Sequence, residues 1–141
     1  METTVKPLAC EGKRVLVVDD HPDSAQIACM LLAIFGHECR PALTGSAALD
    51  EAARFEPDIV ILDIDLPDIN GYDVARALRA RMRGRPPYIA ALTGWGQRED
   101  RVKAFAAGFD QFMVKPVDAA NLRQVVANAE QAAYLMSHLA N

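Results

Sequence analysis

The chain has 141 residues, 51% of them hydrophobic and 24% charged, which fits one ordinary folded domain and excludes both two full domains and an intrinsically disordered chain. A chain of this length can bury a sizeable core without disulfide or zinc support. Fifteen Lys and Arg residues oppose nineteen Asp and Glu residues, and because the net charge is −4 and the basic residues are scattered, nucleic-acid binding is not expected.

Short apolar runs alternate along the chain with amphipathic stretches. A continuous β-branched run such as Arg14–Val18 is typical of a strand that is buried on both faces, and apolar residues at helical spacing predict the helices. The predicted strands are 14–18, 38–43, 58–62, 88–92 and 111–114. Each is followed by a predicted helix, and the first of these begins within 21–24 and ends at Gly36. The next three helices are 46–55, 72–82 and 98–107, and Asp118 caps the last helix, which runs nearly to the C-terminus.

Strand and helix therefore alternate five times with short connections. This order predicts an α/β fold, a single doubly wound (βα)5 domain in which helices cover both faces of a five-stranded parallel sheet. Ligands of such sheets bind at the carboxyl ends of the strands, so the functional residues are expected there.

The cysteines and apolar runs bear on the compartment of the protein. Cys10, Cys29 and Cys39 form no C-x-x-C pattern, and an odd number leaves one unpaired in any disulfide scheme. Reduced cysteines in the cytoplasm are the simpler expectation. No apolar run approaches the roughly 18 residues of a membrane span, and segment Met1–Gly12 is polar and unlike a secretion signal. We predict a cytoplasmic protein without membrane contact.

Acidic side chains gather at the predicted carboxyl ends of the strands. The residues there are Asp19 and Asp20 after the first strand, Asp63 and Asp65 after the third, Thr93 after the fourth and Lys115 after the fifth. Buried carboxylates repel one another, so a positive charge must lie among them. Oxygen ligands and room for water favour Mg²⁺ over a softer metal, with Lys115 as a second cation.

Each of these residues has an ordinary structural interpretation as well. The pair Asp19 and Asp20 is as well explained by capping of the following helix, and Thr93 or Lys115 alone is typical of many proteins. Asp63 is harder to explain in this way, because a carboxylate that directly follows a buried strand must be paired or bound to a metal. The occurrence of all of them, one strand end after another, indicates a functional site.

The sequence resembles the receiver domain of two-component response regulators, a family of the CheY-like superfamily. The segments that carry the resemblance are Val15–Asp20, Asp58–Pro67 with Asn70–Tyr72, Ala91–Gly94, and Lys115–Pro116. The resemblance covers roughly residues 13–128. It implies the flavodoxin-like strand order 2-1-3-4-5, an N-terminal tail over residues 1–12, and residues 129–141 as a C-terminal extension of the last helix.

The resemblance also implies roles for the acids. Asp63 would be the phosphoacceptor, which takes a phosphoryl group from a histidine kinase or a histidine phosphotransfer protein. Asp20 and Asp63 would bind Mg²⁺ directly and Asp19 through water, and the backbone carbonyl of Asp65 would complete the protein ligands. Many relatives carry a neutral residue at the position of Asp65.

Three further residues of the resemblance belong to the switch. Lys115 would pair first with Asp63 and then with a phosphoryl oxygen, and its bond to Pro116 is usually cis in the family. Thr93 would turn its hydroxyl to the phosphoryl group. Phe112 would swing inward on activation.

These roles make the chain a phosphoaspartate signalling switch that changes its partner-binding face. It would not be an enzyme in the usual sense, because it would assist only its own phosphorylation and dephosphorylation. Two alternatives remain: an Asp-nucleophile phosphatase of the haloacid dehalogenase type, whose D-x-D motif Asp63–Asp65 matches, and a docking scaffold that is never phosphorylated. The downstream protein is not identified, and either a stand-alone receiver or the receiver of a hybrid histidine kinase fits the sequence.

Three further features lie beside the acid pair, after Thr93 and in the last helix. His21 follows the acid pair, where a role as ligand or base is an alternative, but a solvated loop histidine is the favoured interpretation. Trp95, the only tryptophan, follows Thr93 and is expected to report the state of the switch by its fluorescence. The apolar stripe of the last helix continues through Met136 and Leu139, beyond the length that covers the sheet, and predicts contact with a second copy or a neighbouring domain.

Overall fold

The computed structural model describes residues 12–81, 86–94 and 106–139. Over these ranges the elements are β1 (Arg14–Val18), α1 (Pro22–Ile34), β2 (Glu38–Ala42), α2 (Gly45–Phe55), β3 (Ile59–Asp63), α3 (Gly71–Arg81), β4 (Tyr88–Thr93), β5 (Gln111–Val114) and α4 (Ala119–Leu139). The predicted helix 98–107 lies outside the described residues apart from its end at 106–107, and so do Trp95, Cys10 and nearly all of the predicted tail.

All five strands form one parallel sheet in the order β2-β1-β3-β4-β5. The predicted sheet and its flavodoxin-like order are therefore confirmed. The central strand β3 is buried at every position, as its apolar sequence predicts. Pro41 lies in β2 at the edge of the sheet, where the missing backbone N–H costs no ladder hydrogen bond.

Alternate residues of the strands point to two hydrophobic cores on opposite faces of the sheet. On one face Leu16 and Val18 pack with Ala48 of α2 and Val74 of α3. On the other face the neighbouring strand residues pack with Leu32 of α1 and with residues of α4. The two-residue period of a strand divides its side chains in this way, so each face receives its own pair of described helices.

The helix ends follow local signals in the sequence. Thr44 caps α2, where its hydroxyl accepts a hydrogen bond from the backbone N–H of Ala47 at 3.0 Å. Asp118 caps α4 in the same way through the N–H of Asn121 at 2.8 Å, which confirms the predicted cap. Gly36 follows α1 with a φ of 95°, in the left-handed region that glycine adopts without strain.

A disulfide bond joins Cys29 of α1 to Cys39 of β2. The expectation of reduced, unpaired cysteines is therefore wrong for this pair. The cause is the crossover from β1 to β2, which lays α1 beside the edge strand and leaves the two Cα atoms 5.2 Å apart, within the usual disulfide range. Two cysteines that lie ten positions apart in sequence gave no sign of this contact.

The last helix changes character along its length. Its first half buries Leu122 and Val125 against the sheet, whereas Tyr134, Met136 and Leu139 in its second half are exposed. The predicted apolar stripe therefore continues beyond the core. Among the helices described, none combines the length and the apolar character that a bilayer crossing requires.

Glu56 follows α2 with a φ of 52°, a left-handed conformation that glycine adopts at lower cost than glutamate. We expect Glu56→Gly to raise the free energy of unfolding by up to about 1 kcal/mol in urea denaturation. Ala53→Gly, at an exposed position inside the same helix, is the control and should lower it by about 1 kcal/mol. Equal destabilisation by both glycines would contradict this account.

Candidate functional site

The predicted site residues lie together at the carboxyl edge of the sheet. Asp63 is the last residue of β3, and its register partner in β4 is Leu92, the residue before Thr93. Thr93 ends β4, and its carbonyl accepts a hydrogen bond from the N–H of Lys115 at 2.9 Å. The parallel register places these strand ends side by side, as the sequence analysis expected.

Three carboxylates and one imidazole form a cluster at this edge. One ligand atom from each of Asp19, Asp20, His21 and Asp63 lies within 4.8 Å of the others. Asp19 and Asp63 are buried, with 5% and 1% of their surfaces exposed. The structure therefore brings together the acid pair after β1 and the acid that ends β3, and it adds His21, for which the sequence favours a solvated loop position.

Lys115 forms an ion pair with Asp63. Its Nζ lies 2.6 Å from Oδ2 of Asp63. Burial raises the pKa of Asp63, and the hydrogen bonds from Lys115 and from the Asp65 backbone offset this rise only in part. Burial lowers the pKa of Lys115, but the hydrogen bond and charge of Asp63, together with the charges of Asp19 and Asp20, raise it above its ordinary value. The ammonium is thus held in its charged form beside the acids.

The remaining predicted residues surround this pair. The backbone N–H of Asp65 donates to Oδ1 of Asp63 at 3.0 Å, while the Asp65 side chain is exposed. Thr93 is buried, and its hydroxyl donates to the carbonyl of Met113 over a long distance of 3.5 Å. Phe112 is half-buried and packs against the core beside α2 and α3. The Lys115–Pro116 peptide bond is cis, as the resemblance implies.

The loop after Asp63 is held by two residues whose roles the sequence analysis did not identify. The carboxylate of Asp68 accepts hydrogen bonds from the backbone N–H groups of Gly45 and Ser46, at 2.8 and 2.9 Å, and so ties the loop to the start of α2. A Cβ atom at Gly71 would lie 2.6 Å from the Cα of Ile64, so only glycine fits there. These contacts fix the backbone of the loop that follows Asp63, and neither shows in local periodicity.

The acids of the cluster fit Mg²⁺. Their donor atoms are carboxylate oxygens, which this ion prefers. Oδ1 of Asp20 is buried and accepts no hydrogen bond from the described residues, although Nδ1 of His21 lies 3.2 Å away. A buried carboxylate oxygen without a donor requires a compensating charge, which a cation would supply. Asp19, Asp20 and Asp63 are the side chains that would hold it.

The family is decided by comparison with known proteins. A family model described as the response regulator receiver domain matches residues 15–127, most of the chain. The chain is a response regulator receiver domain. This assignment agrees with the strand order, and it leaves no support for the haloacid-dehalogenase alternative.

Individual relatives agree with the family model. The probable transcriptional regulatory protein TcrX of Mycobacterium tuberculosis is 41% identical over 102 residues, which cover 72% of this chain and 43% of the relative. The hybrid signal transduction histidine kinase L of Dictyostelium discoideum is 34% identical over 119 residues, 80% of this chain and 7% of the kinase. The receiver domain thus spans less than half the length of these relatives.

A solved structure shows the same fold. The chemotaxis response regulator CheY4 of Vibrio cholerae is 26% identical, with a TM-score of 0.78 over 84% of this chain and 99% of its own. Nearly the whole of that protein therefore corresponds to the receiver domain described above.

We expect Mg²⁺ to stabilise the folded receiver domain, because a ligand that binds only the native state adds about 2.7 kcal/mol to the free energy of unfolding at 100 times its Kd. Thermal unfolding with and without Mg²⁺ measures this effect. Asp20→Asn should remove most of it, whereas Asp50→Asn, at an exposed position of α2, should leave it unchanged. Equal stabilisation of all three proteins would place the ion elsewhere.

Proposed function

We propose that this receiver domain is a phosphorylation-controlled switch in which Asp63 accepts the phosphoryl group. The observation that carries the proposal is the environment of one carboxylate: Asp63 is 1% exposed, lies within the acid cluster, and pairs with Lys115 at 2.6 Å. Within the part of the chain that the structure describes, Asp63 is therefore the acid that meets both the prospective cation and the ammonium. A purely structural aspartate would not need this arrangement.

The transfer needs little chemistry beyond positioning. An oxygen of the Asp63 carboxylate forms a bond to phosphorus while the bond from phosphorus to the leaving group of the donor breaks. The metaphosphate-like transition state spreads negative charge over three equatorial oxygens. Mg²⁺, when bound, neutralises part of this charge. Lys115 leaves its ion pair with the attacked carboxylate and pairs with a phosphoryl oxygen, so its charge stays at the site throughout.

The switch would use Thr93 and Phe112. Among the described residues, the hydroxyl of Thr93 makes one hydrogen bond, a long one with the carbonyl of Met113, so turning it toward a phosphoryl oxygen costs little. Phe112 lies one strand away, half-buried against the core. Movement of Thr93 would open space that this ring fills, and the face around β4 and β5 would change with it.

The partners follow from this chemistry. A histidine kinase or a histidine phosphotransfer protein would supply the phosphoryl group in the cytoplasm, and a further protein would recognise the phosphorylated face. The domain would assist its own phosphorylation and dephosphorylation without acting on another substrate. The similarity to both a transcriptional regulator and a hybrid kinase supports a receiver function in either setting.

We expect acetyl phosphate to add one phosphoryl group to the protein, and only with Mg²⁺ present. Intact mass spectrometry before and after incubation measures the addition. The Asp63→Asn variant should gain no phosphoryl group. The Asp65→Asn variant, which changes an exposed carboxylate two residues away, should still be phosphorylated. Phosphorylation of the Asp63→Asn variant would overturn the assignment, and a wild-type chain that takes no phosphate would favour the docking scaffold.

Lys115→Ala should leave the domain folded but impair the switch. The loss of stability should be smaller than the about 3–5 kcal/mol of a broken buried pair, because Asp63 can take up a proton when the lysine is absent. Adding beryllofluoride, a phosphoryl mimic, should shift the amide resonances of Thr93 and Phe112 in the wild type, and this response should be lost in the variant. Lys13→Ala is the control. A normal response of Lys115→Ala would make Lys115 a surface lysine.

The exposed end of α4 is proposed to contact a second copy of the chain. Tyr134, Leu135, Met136 and Leu139 are 46–78% exposed and form an apolar surface beyond the core. Truncation after Asn128 should lower the apparent mass in light scattering without loss of helical fold. Met136→Ser combined with Leu139→Ser should have the same effect at full length. A wild-type chain that is already monomeric would refute the contact.

A further inference from the structure

His21 is turned toward the acid pair although it lies at the surface. It is the N-terminal cap residue of α1, but its side chain makes no capping hydrogen bond to the helix. Its Nδ1 lies 3.2 Å from Oδ1 of Asp19 and 3.2 Å from Oδ1 of Asp20. The backbone N–H of His21 already donates to Oδ1 of Asp19 at 3.0 Å. The ring also lies within hydrogen-bond distance of that oxygen, so it approaches a carboxylate that already has a backbone donor, and it makes no contact that caps the helix.

The spacing of these three atoms matches the edges of a coordination polyhedron. Neighbouring ligand atoms around an octahedral ion with bonds of about 2.1 Å lie about 3.0 Å apart. Nδ1 is close to this distance from both carboxylate oxygens, and the cluster that includes Asp63 lies within 4.8 Å. One ion could therefore contact the imidazole and the carboxylates after small movements of side chains.

One side of the cluster is open. A cavity of about 380 Å³ is lined in part by Asp19, His21 and Lys115, and neither Asp20 nor Asp63 lines it. The side chain of His21 is 69% exposed, so its ring can also adjust its position at little cost in packing.

We propose that His21 is a ligand of this site and raises its preference for a first-row transition ion, such as Mn²⁺ or Co²⁺, over Mg²⁺. This rests on the proposed function, which places a cation among Asp19, Asp20 and Asp63. Mg²⁺ takes oxygen ligands, whereas imidazole is a ligand of first-row transition ions, and the affinity of a given site rises along that series from Mn²⁺ to Co²⁺. A neutral imidazole with its proton on Nε2 would bind through Nδ1, the atom that faces the acids.

The test uses Mn²⁺, which is paramagnetic and has less affinity for thiolates than Zn²⁺ or Co²⁺. Electron spin echo envelope modulation detects the nitrogen of an imidazole bound to Mn²⁺. We expect this nitrogen signal in the wild type, displaced by excess Mg²⁺, and its loss in His21→Gln. The ratio of the Mg²⁺ Kd to the Mn²⁺ Kd should fall at least about tenfold in the variant, whereas the Mg²⁺ Kd itself should change by less than about twofold.

His138→Gln is the control, since it removes another exposed histidine at the far end of α4 and should leave signal and affinities as in the wild type. Circular dichroism checks that His21→Gln retains its helices. A nitrogen signal and Kd ratio that survive in His21→Gln would overturn the proposal, and so would Mg²⁺ binding by a wild-type chain that shows no nitrogen signal. A wild-type chain that binds neither ion would overturn the proposed cation site as well, so the two failures are distinguishable.

Discussion

Asp63 ends the most buried strand of the sheet, and the other charged groups of the site are arranged around its carboxylate. Burial opposes its ionisation, as the raised pKa indicates, and Lys115 provides one hydrogen bond at 2.6 Å that partly offsets this cost. Asp19 adds negative charge to the same space. Additional positive charge would therefore stabilise this group of acids. A phosphoryl group on Asp63 would change which groups the positive charges contact.

The parallel sheet makes this arrangement available. Each of the strands β1, β3, β4 and β5 runs in the same direction, so the residues that follow them meet at one edge although they are far apart in the chain. The hydrophobic cores on both faces fix the strands, and the site consists of short extensions from them. The packed strands thereby position the backbone from which the side chains of Thr93 and Lys115 extend into the site.

The loop after Asp63 and the turn before α1 form the rim of the site. Asp68 ties that loop to α2, and the tight approach at Gly71 brings the start of α3 against it. On the other side His21 faces the acid pair from the first helix. The contacts that position the loop after Asp63, and the prospective ligand His21, thus lie next to the starts of helices. The geometry of the site therefore depends on how these helices pack on the sheet.

The sequence by itself determined the alternation of strands and helices, because burial on two faces and helical periodicity are local patterns. This alternation predicted the parallel sheet and, with it, the set of residues at its carboxyl edge. The family resemblance supplied the strand order. Only the tertiary structure decided the disulfide between Cys29 and Cys39, the cap that Asp68 provides, and the approach of His21 to the acids. The disulfide and the contacts of Asp68 depend on how a crossover or a loop brings distant segments together. The approach of His21 depends on the direction of one side chain at the start of α1. Local patterns of residues show none of these three features.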